Sequence, residues 1–124
     1  MGTIGKRVLL VEDDDANRDA LGDLLRDEGY DVVSAANGLE AINYLRSGGG
    51  VPGLILLDLM MPVMNAWEFR ALQREDPTLS AIPVILLSAG YRVSDDAKGF
   101  GAVSVMRKPP DLDQLLEQVA LHCR

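Results

Sequence analysis

Leu54 to Asp58 reads LILLD. Four consecutive apolar residues leave no side for solvent, which fits a strand covered on both faces of a parallel sheet. A carboxylate closes the run. Upstream, Gly48-Gly49-Gly50 and Pro52-Gly53 break a helix whose apolar stripe is Leu39, Ile42 and Leu45. Asn37-Gly38 before it marks a turn, and Tyr30 to Ala35 reads as a strand. Arg7 to Val11, RVLLV, is a further buried strand. Acids follow it at once, and then a helix carrying Leu21, Leu24 and Leu25, with Gly29 placed for a left-handed stop. Downstream of Asp58, a Met-Met-Pro loop leads to a helix marked by Ala66, Phe69 and Leu72, with Asn65 as its N-cap. Pro83 to Leu87 is another buried strand, Ser94 to Phe100 a short helix, and Ala102 to Met106 a last strand. Leu112, Leu115, Leu116 and Val119 then repeat at helical spacing.

The strands are thus β1 (Arg7 to Val11), β2 (Tyr30 to Ala35), β3 (Leu54 to Leu57), β4 (Pro83 to Leu87) and β5 (Ala102 to Met106). Helices α1 to α5 follow them in turn, with α4 at Ser94 to Phe100 and α5 at Leu112 to Val119. Strict alternation predicts an α/β fold, a parallel sheet with helices on both faces. Right-handed crossovers leave few topologies. The flavodoxin-like, doubly wound order 2-1-3-4-5 with five helices is the expected one, and it places ligands at the carboxyl ends of β1 and β3.

With 124 residues, residues 1–124 are expected to form one domain, Met1 to Gly5 being a loose end. The net charge of −7 argues against direct nucleic-acid binding or attachment to anionic membrane. The lone Cys123 cannot form an internal disulfide. No apolar run approaches a membrane span and no signal peptide opens the chain, so a cytoplasmic location is expected.

The reactive side chains fall at strand ends. Glu12 and Asp13 follow β1, Asp58 follows β3, Ser88 follows β4 and Lys108 follows β5. In a parallel sheet these ends share one edge. Singly, each has an ordinary reading: a helix cap among Asp13 to Asp15, a turn residue at Asp58, a backbone-satisfying Ser88, a solvated Lys108. Together they make a pocket. Three neighbouring carboxylates repel, and a divalent cation removes the conflict. Oxygen ligands suit Mg²⁺, so Glu12, Asp13 and Asp58 are its candidate ligands. Beside the metal, the Asp58 carboxylate is a candidate nucleophile toward phosphorus. Lys108 would pair with it at rest and with a phosphoryl oxygen afterwards. The Lys108-Pro109 bond is a candidate cis peptide. The Ser88 hydroxyl would donate to the phosphoryl group, drawing the loop from Ala89 to Val93 with it.

VLLVEDDD at Val8 to Asp15, LILLDLMMPVM at Leu54 to Met64, VILLSA at Val84 to Ala89 and RKPP at Arg107 to Pro110 together resemble the response-regulator receiver (CheY-like) family of two-component phosphorelays. Gly101-Ala102 also sits at the family's usual distance before the lysine. The resemblance runs from about Lys6 to Val119. It implies that Asp58 is the phosphoacceptor, that Glu12 and Asp13 are the acidic metal pair, and that the Met60 backbone carbonyl is a third protein ligand. It implies a sensor histidine kinase or histidine phosphotransfer protein as donor. It further implies readout through the α4–β5–α5 face to a downstream effector, with a homodimer through that face as one form.

Three positions depart from the family pattern. Val105 stands where an aromatic usually reports phosphorylation. Asn65-Ala66 replaces the usual Asp-Gly. Met60 and Gly90 fill rim positions thought to tune phosphate loss, and neither side chain can place a water, so a fairly long-lived phosphate is expected. The only histidine, His122, is expected to be a frayed surface residue, and Trp67 to pack locally. The chain is expected to catalyse only its own phosphorylation and dephosphorylation.

Two competing readings remain open to the sequence. A pseudo-receiver would use the fold as a constitutive interaction module, against which the full acid, serine and lysine set argues. An aspartate-nucleophile phosphohydrolase would carry Asp-x-Asp after its first strand, whereas here the candidate nucleophile follows β3 and position 60 is Met. Phosphate-binding glycine motifs of nucleotide enzymes are absent. The acidic loop after β1 disfavours a flavin phosphate.

Overall fold

A computed structural model describes residues 3–89 and 99–123, with side chains from residue 6 onward. The strands are β1 Thr3–Val11, β2 Asp31–Ala35, β3 Val51–Asp58, β4 Val84–Ser88 and β5 Ser104–Arg107. All pairings are parallel and the order is β2-β1-β3-β4-β5, as the alternation predicts. The helices are α1 Asp15–Asp27, α2 Gly38–Arg46, α3 Ala66–Glu75 and α5 Leu112–His122. The helix expected over Ser94 to Phe100 lies outside the described residues, apart from a turn at Gly99 and Phe100.

Period-two alternation sends successive strand residues to opposite faces. Leu9, Val11, Ile55, Leu57, Val84 and Leu86 pack beneath α2 and α3, against Ala41, Ile42, Leu45 and Phe69. Val8, Leu10, Leu54, Leu56, Ile85 and Leu87 pack beneath α1 and α5, against Leu21, Leu25, Leu115 and Val119. Covering on both faces is why β3 is buried at every position from Pro52 to Asp58.

Several local expectations need correction. β1 begins at Thr3, so Thr3 to Gly5 belong to a strand and not to the loose end expected for Met1 to Gly5. Thr3 and Ile4 pair with Val51 and Pro52, and an irregularity in register before Val8 lets the chain rejoin. That same irregularity admits Pro52 and Gly53 into β3, where a break was expected. Gly38 is the first residue of α2 rather than part of a free turn, because the Asn37 side chain caps the helix by accepting from Glu40 N–H. The buried face of α2 is Gly38, Ala41, Ile42 and Leu45, and Leu39 is exposed. Leu112 is also exposed, at the start of α5.

The helix ends otherwise follow the signals. Asp14 caps α1 through Asn17 N–H, and Gly29 takes φ +92° after it. Asn65 and Glu68 form a reciprocal capping box on α3. An unexpected single helical turn, Pro77–Ser80, follows α3 with Asp76 as its cap. The fully buried Gln73 amide holds this turn by donating to the Leu79 and Ile82 carbonyls at 2.8 and 3.3 Å. Arg70 and Arg74 of α3 donate to the carbonyls of Phe100, Gly101 and Gly99. The Trp67 ring meets Phe100 edge-on, with centroids 6.3 Å apart, so its packing reaches the segment before β5 and is not only local as expected.

Candidate functional site

The carboxyl edge of the sheet gathers the residues singled out in the sequence. Asp58 is the last residue of β3 and continues the Leu54–Leu56 row. Glu12 continues the Val8–Leu10 row one step beyond β1. Both are almost fully buried, whereas Asp13 is exposed. Backbone bonds fix these strand tips: Glu12 N–H donates to the Ala35 carbonyl at 3.0 Å, and Leu59 N–H to the Leu87 carbonyl at 2.8 Å. Ser88, also buried, ends β4, and its carbonyl accepts from Lys108 N–H at 2.8 Å.

Lys108 sends its ammonium between the two buried acids. Nζ lies 2.7 Å from Glu12 Oε1 and 3.2 Å from Asp58 Oδ2. The Lys108-Pro109 bond is cis. Glu12 Oε2 also accepts from Asp14 N–H, and Asp58 Oδ1 from Met60 N–H, each at 3.3 Å.

One ammonium cannot neutralise two buried carboxylates and leave both at ease. Burial, then the hydrogen-bonded and charged Glu12 beside it, pushes the Asp58 carboxyl up to about 7, against the pull of Lys108. Burial also disfavours ionised Glu12, but hydrogen bonds from Lys108, Asp58 and the Asp14 N–H outweigh it and hold Glu12 below its ordinary range. Burial works against the charged Lys108 as well, yet its two acidic partners keep its pKa raised. Without metal, of the two acids it is therefore Asp58 whose proton affinity is raised, while Glu12 favours the ionised form.

Glu12, Asp13 and Asp58 each offer an oxygen, and these lie within 4.8 Å of one another. Small hard cations such as Mg²⁺ favour oxygen ligands of this kind. The donor set is all oxygen and over-charged with acid, which a divalent ion relieves. A cluster that could bind a metal ion is thus present.

A cleft of about 480 Å³ opens beside this corner, lined by Glu12, Leu21, Leu87, Lys108, Pro110 and Leu112 among others. It explains the exposure of Leu112, which edges the cleft instead of the core. Val105 is half-buried and packs toward the α2–α3 side of the sheet. Met60 is 68% exposed. His122 is half-buried at the end of α5, not frayed. Gly90 and most of the Ala89 to Val93 loop lie outside the described residues. Sequence reasoning passed over Arg18, whose guanidinium donates to the Glu12 carbonyl at 2.9 Å and pairs with Asp15. The i,i+3 spacing of Asp15 and Arg18 was the available signal.

Residues 8–120 match the response regulator receiver domain. The chain belongs to the response regulator receiver family. Its sequence is 39% identical over 113 residues to the alkaline phosphatase synthesis transcriptional regulatory protein SphR of Synechococcus elongatus, covering 83% of this chain and 43% of that protein. A response regulator receiver protein from Pseudomonas putida superposes with a TM-score of 0.83 at 32% identity, over 93% of this chain and 95% of that one. The phosphorylated cyanobacterial phytochrome response regulator RcpA does so with a TM-score of 0.77 at 32% identity, over 92% and 88%. The receiver spans about half the length of several curated relatives it matches. Receivers of this family are phosphorylation-controlled signalling modules rather than conventional enzymes. Among the described residues, no helix is long and apolar enough to cross a membrane.

Proposed function

We propose that Asp58 is the phosphoacceptor of this receiver, with Glu12, Asp13, Asp58 and the Met60 carbonyl as ligands of Mg²⁺. The observation that carries the reading is the convergence of two buried acids, an exposed third and one lysine at the ends of β1, β3 and β5. An Asp58 carboxylate oxygen forms a bond to phosphorus as the nitrogen–phosphorus bond of a donor phosphohistidine breaks. Bound Mg²⁺ offsets charge on the phosphoryl group in transfer. Lys108 leaves its pairing with Asp58 and takes a phosphoryl oxygen, remaining near Glu12. The Ser88 hydroxyl donates to another oxygen, and this draws β4's following loop toward the new charge.

The donor is a sensor histidine kinase or a histidine phosphotransfer protein, since the chain's own histidine sits at the far end of α5. The chain forms one receiver domain that works in the cytoplasm, and its output face is formed by β5, α5 and the segment before β5. A downstream effector, or a second copy of the receiver, reads that face. Self-catalysed loss of phosphate is slow, because the exposed Met60 side chain at the rim has no group to orient a water. Mass spectrometry after acetyl phosphate and Mg²⁺ tests the assignment. A phosphate adduct on wild type and none on Asp58→Asn is expected, and an adduct retained in the variant refutes it. Beryllofluoride with Mg²⁺ separates this reading from a constitutive interaction module: no spectral change would favour the latter.

A further inference from the structure

The loop between β3 and α3 contains an unfavourable backbone conformation. Val63 has φ +69°, the one non-glycine residue with positive φ among the described residues. A β-branched side chain is poorly accommodated there. Met64 N–H donates to the Pro62 carbonyl at 2.7 Å, closing a three-residue turn around Val63. Left-handed φ at the centre of such a turn marks the rare, strained γ form. Contacts from outside the loop must hold it in place.

Gly38 of α2 supplies one. Its N–H, which has no partner within its own helix, donates to the Met64 carbonyl at 3.3 Å. A Cβ on Gly38 would lie 2.7 Å from that oxygen and 2.9 Å from Met64 Cγ. Gly38 is not among the glycines with positive φ. What it supplies is space for a backbone carbonyl, which cannot swing aside as a long side chain can.

We infer that Gly38 is a positioning residue for the phosphoacceptor site, acting through Met64 and Val63 on the loop that carries Met60. The inference rests on the metal-site reading above. The loop is short and held at both ends: Asp58 Oδ1 accepts from Met60 N–H at one end, and Gly38 and the Asn65–Glu68 capping box hold the other. A methyl group at position 38 displaces the Met64 carbonyl. Val63 has no comfortable conformation in which to absorb that movement, so it passes back toward Met60 and Asp58.

NMR titration with Mg²⁺ on wild type, Gly38→Ala, Val63→Gly and the double variant tests this. Supporting residues around metal ligands typically alter affinity by about 10–100-fold, and Gly38→Ala is expected at the lower end, about tenfold weaker. Glycine at position 63 frees the turn to adjust, so adding Gly38→Ala to Val63→Gly should cost less than about twofold. A folded Gly38→Ala protein with wild-type affinity overturns the inference. So does an equal loss in both backgrounds, because the effect would not then run through Val63. Should Gly38→Ala not fold, the wild-type Gly38 amide resonance decides: it is expected to shift in step with Mg²⁺ saturation, and an unmoved resonance refutes the coupling. Wild type that neither binds Mg²⁺ nor accepts phosphate would instead sink the phosphoacceptor reading itself.

Discussion

Replacing Asp58 by Asn should stabilise the metal-free protein at alkaline pH. An aspartate titrates near 3.8 when unperturbed, whereas in this fold Asp58 is pushed up to about 7. At 1.36 kcal/mol per pH unit, forcing it to ionise costs about 4 kcal/mol by pH 8. The sign follows from proton binding. Between pH 3.8 and about 7 the folded state holds more protons than the unfolded state, so wild-type stability falls as pH rises through that window. Asn is nearly isosteric, keeps an acceptor for Met60 N–H, and leaves Lys108 its 2.7 Å partner Glu12. The pull of Lys108 already enters that ionisation cost, and solvent screening at the open sheet edge lowers what is realised, so about 2 kcal/mol of net gain is expected. For a chain of this size that is a rise of roughly 6–8 °C in Tm. Urea and thermal unfolding in chelator should show the gain at pH 8 and its disappearance by about pH 5. An Asn variant no more stable at pH 8, or an advantage that stays constant with pH, would refute the electrostatic account.

Three further outcomes are expected. Mg²⁺ competes with the proton on Asp58, so affinity measured by NMR or calorimetric titration should fall below about pH 7, by up to about tenfold per pH unit, and level off above it. Lys108→Met leaves Glu12 and Asp58 buried without their ammonium and should cost about 3 kcal/mol at neutral pH without metal, with Mg²⁺ restoring part of it; an unchanged urea midpoint would contradict this. Gln73→Leu strips the donor from the Leu79 and Ile82 carbonyls and should cost about 2 kcal/mol, with faster amide exchange around Pro77–Ser80.

The sheet order and the convergence of the candidate site residues were legible because both rest on strand-level signals. LILL at Leu54 to Leu57 has no polar side, so it had to be covered twice, and a parallel sheet brings every strand tip to one edge. Glu12, Asp13, Asp58 and Lys108 converge for that reason alone. What escaped was tertiary. Gln73 reads as a surface amide until Leu79 and Ile82 turn their carbonyls toward it. The turn at Pro77 to Ser80 is too short to show periodicity, though Asp76-Pro77 carried a capping signal. Leu39 and Leu112 fit a helical stripe by spacing, but each stands at a helix start, where the neighbouring element no longer covers it. Gly38 looked like turn punctuation because its real neighbour, Met64, is distant in sequence.

The edge-on stack of Trp67 on Phe100 has a practical consequence. Trp67 is the chain's sole tryptophan, and it stands two residues past Asn65 where the β3–α3 loop enters the helix. Its ring rests on Phe100, whose carbonyl Arg70 and Arg74 grip. The protein therefore carries an intrinsic fluorophore that stands just after the β3–α3 loop and rests on the approach to β5. Time-resolved emission from unlabelled protein would follow the two regions together, and would reveal whether they move as one body when the site is charged.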